Sequence, residues 1–300
     1  MMAWNIKEAL MRRFGSALGR RAALAGAGLL AACSPAGLLN ATISEGGLAV
    51  ERDLPYGEGR RRMDLYRPAG AVSGLPLVVF LYGGSWRSGS KSLYPFVAAP
   101  LARRGAVVAV PDYRLYPEVV FPAFLADCAA AVAYAAANAQ RWGADARRLV
   151  LLGHSAGAYN AAMLLLDPRW LGGAGAPRPA GGALLAGPYD FLPITDPDIV
   201  PIFPDPGPQT QPITHADGRN PPLLLLAGAD DTTVRPRNSV ALAHRIQAAG
   251  GPVEARILPD LGHIGIILAF APLFRSKGPV FELVWEFVGR VSGAAATPPF

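Results

Sequence analysis

The most constraining feature of this 300-residue chain is a series of short apolar runs separated by stretches with helical spacing. Pro76–Leu81 (PLVVFL), Ala106–Val110 (AVVAV), Leu149–Leu152 (LVLL), Ala183–Ala186 and Leu223–Ala227 carry almost no polar residue. Continuous apolarity, rather than alternation, is what a strand covered on both faces requires. Val253–Leu258 is a further short strand. Between the runs, helices are expected over Leu93–Arg103, Phe121–Arg141, Ala156–Leu166 and Ser239–Ala249, and Val280–Val291 adds an amphipathic helix at the end. Strands that alternate with helices pair in parallel, because the chain must cross back over the sheet. Ahead of them, Leu48–Leu54 and Arg62–Tyr66 form a hairpin around Gly57-Glu58-Gly59. The expectation is an α/β class domain: a mostly parallel central sheet flanked by helices.

Residues 188–220 break this rhythm. They hold eight prolines and little periodicity. A long irregular stretch inside a compact domain is commonly functional. It is read as a short Pro-rich cap segment over the carboxyl ends of the strands, within one domain spanning 34–300. Its apolar residues Phe191, Leu192, Ile194, Ile199, Val200, Ile202 and Phe203 either meet an apolar ligand or pack.

Charge separates the chain in another way. The formal net charge is +6, with 51% hydrophobic and 17% charged residues. Lys7, Arg12, Arg13, Arg20 and Arg21 stand against Glu8 in the first 32 residues, so most of the excess lies there and the remainder is almost neutral. That distribution disfavours a nucleic-acid partner. The uncharged run Ala22–Ala32 after Arg20-Arg21 is too short to span a bilayer, and it suits the apolar part of an export signal. It ends in Leu30-Ala31-Ala32-Cys33, which resembles a bacterial lipobox. Residues 1–33 are therefore expected to be a lipoprotein signal peptide, with Cys33 lipidated. The protein would then be exported, periplasmic or attached to a membrane through that lipid, with a cytoplasmic location as the alternative. Two cysteines give neither a disulfide framework nor a Cys/His zinc pattern, and Cys128 reads as a small core residue.

Four places carry chemistry. Gly153-His154-Ser155-Ala156-Gly157 follows the strand LVLL and opens a helix. A tight strand-to-helix turn exposes a serine Oγ and needs glycine at its flanks. Tyr82-Gly83-Gly84-Ser85-Trp86 follows PLVVFL, where a glycine pair lets backbone N–H groups face a cleft. Gly228-Ala229-Asp230-Asp231 follows LLLLA and places two carboxylates at a strand end. A serine–histidine pair needs one such group to orient the imidazole. Leu261-Gly262-His263 follows the last strand. Of four histidines, His154 is inside the elbow, His215 precedes the carboxylates and His244 lies in a helix. Only His263 fits the order Ser…Asp…His of such a fold.

Residues 45–290 resemble the α/β-hydrolase superfamily, in its esterase/lipase group with an HGG-type oxyanion loop. The similar branches are the hormone-sensitive-lipase-like, feruloyl-esterase-like and kynurenine-formamidase-like ones. Besides GHSAG, the residues that carry the resemblance are Asp112-Tyr113-Arg114-Leu115-Tyr116-Pro117-Glu118, Phe121-Pro122-Ala123, Asp127 and Arg141-Trp142-Gly143-Ala144-Asp145. The resemblance implies Ser155 as nucleophile, His263 as base and Asp231 as its acid, with Asp230 second. It implies oxyanion donors at the backbone of Gly84, Ser85 and Ala156, with Gly83 permitting the turn. Asp112, Arg114 and Glu118 become structural ties behind the loop. Tyr82 stands where the family has a histidine, and Tyr82 and Trp86 are assigned to the substrate pocket. The expected activity is cleavage of small to medium carboxylic esters, with no cofactor and no metal. An amidase or arylformamidase with the same triad is the alternative, and a non-catalytic binding protein on the same fold is the remaining one.

Overall fold

The computed structural model describes residues 39–70 and 73–293. The segment read as an export signal, Cys33 included, lies outside the described residues. Among the described residues, eight strands form one sheet: β1 (Leu48–Pro55), β2 (Arg62–Pro68), β3 (Leu75–Leu81), β4 (Val107–Pro111), β5 (Ala144–His154), β6 (Gly181–Leu185), β7 (Leu223–Gly228) and β8 (Val253–Leu258). Their spatial order is β1-β2-β4-β3-β5-β6-β7-β8. β1 and β2 join antiparallel, as does β2 to β4, and the strands from β4 across to β8 run parallel. The apolar runs occupy the middle of the sheet because both of its faces are covered. β4, β6 and β7 are buried along their whole length, while β8, at the edge, shows Ala255, Arg256 and Ile257 to solvent.

Among the described residues, seven helices flank the sheet: α1 (Pro95–Arg103), α2 (Ala123–Asn138), α3 (Ala156–Leu166), α4 (Pro168–Gly173), α5 (Arg237–Ala248), α6 (His263–Leu268) and α7 (Val280–Ser292). α3 is buried at every position, which explains why its sequence lacks a polar stripe. α2 ends earlier than its spacing predicts, and a 3-10 turn at Gln140–Trp142 completes the expected helix. α4 and α6 are additions to the expected elements. Each is six residues long, too short for a period to be read. β5 also starts earlier than expected. Ala144 and Asp145 pair with Leu75 and Pro76, and the register shifts before Leu77 meets Leu149.

Residues 188–220 hold three 3-10 turns, at Val200–Ile202, Pro208–Thr210 and Pro212–His215. Each begins with proline at its first or second position, where the missing N–H has no cost. The segment is pinned from several sides. Tyr159 Oη donates to the Thr210 carbonyl at 2.6 Å, and Gln211 Oε1 accepts from Phe191 N at 2.8 Å. Asn238 Oδ1 accepts from Tyr189 N and Asp190 N at 2.9 and 3.0 Å. Ile202 and Phe203 are buried, whereas Leu192 and Val200 face solvent.

Candidate active site

Ser155 sits between β5 and α3 with φ 56° and ψ −123°, a region that side-chain-bearing residues rarely occupy. Its N–H is held by the Leu185 carbonyl at 2.9 Å, and its own carbonyl accepts from Ala158 and Tyr159. Tight crossing of strand and helix makes the elbow possible. A Cβ at Gly157 would stand 2.0 Å from the Leu81 carbonyl oxygen, so only hydrogen fits there.

Two further loops converge on this turn. Ala229 N and Asp230 N donate to the carbonyls of Leu258 and Leu261, which ties the chain after β7 to the chain after β8. Asp231 and His263 are thereby brought together. His263 Nδ1 lies 2.7 Å from Asp231 Oδ2, and His263 Nε2 lies 2.8 Å from Ser155 Oγ. A carboxylate only accepts, so the Nδ1 proton points to Asp231 and Nε2 is left to accept from the serine hydroxyl. Asp231 is buried, and its other oxygen takes the N–H groups of Thr233 and Val234 at 2.9 and 2.8 Å. Asp230 is exposed, and its side chain makes none of these contacts. His263 is the first residue of α6 rather than a loop residue, so its ring is carried by a helix start.

His154 completes the set from behind. It is wholly buried, with its ring centroid 4.9 Å from that of His263. Its Nε2–H donates to the His263 carbonyl at 3.0 Å, and its Nδ1 has no partner. Burial first, and then repulsion from His263, lowers its pKa to about 3 against the backbone bond that opposes the shift. His154 is thus a neutral donor that holds the first residue of α6. Its place inside GHSAG gave no sign of this second partner.

The loop after β3 departs from its expected geometry in one detail. Gly83 presses against Ser155, but the left-handed stretch starts one residue later, at Gly84 (φ 135°), and continues through Ser85 (53°) and Trp86 (54°). Both glycines are needed: a Cβ at Gly83 would stand 2.8 Å from the His154 carbonyl oxygen, and one at Gly84 would stand 2.1 Å from the Ser88 carbonyl oxygen. The N–H groups of Gly84, Ser85 and Ala156 engage no backbone acceptor among the described residues. They sit on the loop and the helix start that flank Ser155 Oγ.

Tyr82 does not line a substrate pocket. It is wholly buried behind the loop, stacked between Tyr94 and Tyr113 at 5.4 and 4.9 Å. Its hydroxyl donates to Asp112 Oδ1 at 2.7 Å and accepts from Arg60 at 3.2 Å. Burial beside the Asp112 carboxylate pushes the phenol well above its ordinary pKa, so it stays a donor. Asp112 also accepts from Lys91 N at 2.7 Å, and Arg114 clamps Asp127 with two bonds of 2.8 Å. Glu118, expected among these ties, is exposed and contributes to Arg114 only as a nearby charge.

Trp86 does face the cleft. Its indole N–H donates to Asn160 Oδ1 at 2.9 Å, and Asn160 donates in turn to Cys128 Sγ at 3.6 Å. Phe124, Tyr159, Phe191 and Phe203 surround the indole at centroid distances of 5.1 to 6.5 Å. The cleft holds about 310 Å³ and is bounded by Ser85, Trp86, Ser155 and Ala156, by Phe191, Asp196 and Ile199 of the cap, and by Thr232–Arg235, Arg237 and Asn238.

The geometry is that of a strand-to-helix elbow with a serine at its tip. Residues 123–293 match the model of the prolyl oligopeptidase family, and residues 63–168 match a model described as BD-FAE. The chain belongs to the prolyl oligopeptidase family, within the α/β-hydrolases. The chain is 24% identical over 271 residues to a probable isoprenylcysteine alpha-carbonyl methylesterase of Arabidopsis thaliana, covering 81% of the chain and 56% of that protein. It is 35% identical over 143 residues to a kynurenine formamidase of Salmo salar, covering 47% of each. The chain thus spans about half the length of these two relatives. An esterase structure from Pyrobaculum calidifontis superposes with a TM-score of 0.70 at 23% identity, over 87% of this chain and 91% of that one. That likeness concerns the fold.

Proposed function

We propose that this α/β-hydrolase cleaves carboxylic esters of small to medium acyl groups through a covalent acyl-enzyme. The observation that carries the reading is the unbroken relay Asp231–His263–Ser155, with contacts of 2.7 and 2.8 Å at the floor of a cleft. His263 takes the hydroxyl proton as Ser155 Oγ bonds to the ester carbonyl carbon. Asp231 holds the ring tautomer and stabilises the imidazolium. The oxyanion takes hydrogen bonds from Gly84, Ser85 and Ala156, each donor contributing on the order of 3 kcal/mol to the transition state. The carbon–oxygen bond to the alcohol breaks, and the leaving oxygen takes the proton from His263. Water then attacks the acyl carbon by the same route in reverse and frees Ser155.

A chromogenic short-chain ester should give a burst of one equivalent of alcohol per active site. A fluorophosphonate should label the protein stoichiometrically. Ser155→Ala should abolish both, and full turnover by that variant would reject the assignment. The kynurenine formamidase similarity favours one second reading, cleavage of an N-formyl amide by the same relay. Matched ester and N-formyl substrates separate the two by their kcat/KM. The export reading of residues 1–33 is likewise a proposal. Mass spectrometry of the chain from membranes tests it, with a diacylglyceryl-modified Cys33 as the expected terminus and an unmodified Met1 or Met2 as the contrary result.

A further inference from the structure

The two long sides of the cleft differ in charge. On the side formed by residues 232–238, Arg235 and Arg237 both border the cavity and both are exposed. Neither guanidinium has a hydrogen bond or an ion pair among the described residues. Several other arginines are paired: Arg104, Arg114, Arg147 and Arg169 reach Glu282, Asp127, Asp145 and Asp167 at 2.7 to 2.8 Å, whereas the unpaired Arg245 does not border the cleft. The cavity offers these two cations no equivalent partner. The acid that borders it, Asp196, takes the Asp198 N–H at 2.9 Å, and neither Asp196 nor the exposed Asp230 forms an ion pair among the described residues.

Helix stability does not explain the pair either. Arg237 is the first residue of α5, which has no acid in its first turn, and a cation there opposes the helix dipole. The backbone that carries them is fixed to the relay itself. Thr233 N and Val234 N donate to Asp231, Asn238 N donates to the Arg235 carbonyl at 3.0 Å, and Asn238 holds the start of the cap. Two unpaired planar donors are therefore carried on a backbone that is tied to the relay, beside the same cleft as the reacting serine. A guanidinium meets a carboxylate through two parallel N–H···O bonds, which neutral groups do not supply.

We infer that Arg235 and Arg237 form a subsite for a carboxylate carried by the substrate, so that the preferred esters are anionic. This deepens the ester-hydrolase reading and rests on it. The charge sits in water at the rim, so its effect is a preference of a few-fold to about tenfold, weakened by salt.

Two matched pairs test it, one for each half of the ester. For the acyl half, 4-nitrophenyl pentanoate is compared with the mono-4-nitrophenyl ester of glutaric acid. For the alcohol half, 4-acetoxybenzamide is compared with 4-acetoxybenzoate. The expected result is a higher kcat/KM for the anionic member of at least one pair, arising in KM and shrinking between 50 mM and 500 mM salt. R235E/R237E should invert that ratio, and R235K/R237K should keep its sign. Equal kcat/KM in both pairs, or a preference unchanged in R235E/R237E, would overturn the subsite while leaving ester hydrolysis standing. If none of the four esters is turned over and no fluorophosphonate label is taken up, the hydrolase reading fails first, and the subsite with it.

Discussion

The two walls of the cleft are built by opposite means. The Trp86 wall is a stack of buried rings, in which the indole touches Phe124, Tyr159, Phe191 and Phe203 and its one polar atom is satisfied by Asn160. The Arg235–Arg237 wall is an exposed strap whose backbone is tied down and whose side chains are free. Rings packed at interior density leave no room for a longer group without displacement, whereas a solvated rim adapts. The first wall should therefore govern size and stability, and the second should govern charge. Between them lies the relay, which both walls serve.

The largest effect should come from the relay, because it underlies either wall. His263→Ala should lower kcat for a short ester by a factor on the order of 10⁴ to 10⁶ with a folded protein, as judged by circular dichroism. A residual rate near wild type would remove the common centre of the comparison. Opening the ring wall comes next. Trp86→Ala should cost about 3–5 kcal/mol of stability in a urea titration and move acyl preference toward longer chains, whereas Trp86→Phe should do less of both. If Trp86→Ala leaves the chain-length profile unchanged, the wall packs without selecting.

A third effect concerns acid. His154 stays neutral in the folded protein down to about pH 3, but an unfolded chain protonates its histidines below their ordinary value of 6.5. Between those limits the unfolded state binds the extra proton. The stabilisation is complete above pH 6.5 and is lost as pH falls toward 3. At pH 4 the loss attributable to His154 should be on the order of 3 kcal/mol. Urea midpoints at pH 7 and pH 4 should converge more for His154→Gln than for the wild type, and equal slopes would show that the burial of this ring is relaxed in solution. The salt-sensitive few-fold preference set by Arg235 and Arg237 is the smallest of the expected effects.

Legibility in the sequence followed the same division. The central strands could be read because both faces of β3, β4 and β7 are covered, which leaves only apolar letters. Ser155 and His263 could be read because a strand, a turn and the order of the chain converge on each. The first residues of β5 could not be read, since Asp145, Arg147 and Arg148 carry charges that only the pairing beyond the bulge accommodates. Tyr82 was misplaced because one aromatic letter beside a glycine pair does not reveal which way the ring turns. Here the Tyr94 and Tyr113 faces and the Asp112 carboxylate hold it inward. Asn160 and Gln211 left no signal at all, as a buried amide is recognised only by what it bonds. Nothing in the sequence sets Arg235 and Arg237 apart from other charged letters, and only their place beside the cleft does so.

Ser155 has a consequence for selection. Its left-handed backbone would suit glycine better than serine, and glycine there would relieve strain on the order of 1 kcal/mol. Mutation at the reacting residue is thus downhill in folding free energy while it removes the nucleophile. Variants gathered only for heat resistance or yield will drift toward silent proteins at this position. Evolution of a sturdier form has to be steered by turnover, with every gain in melting temperature checked against the reaction.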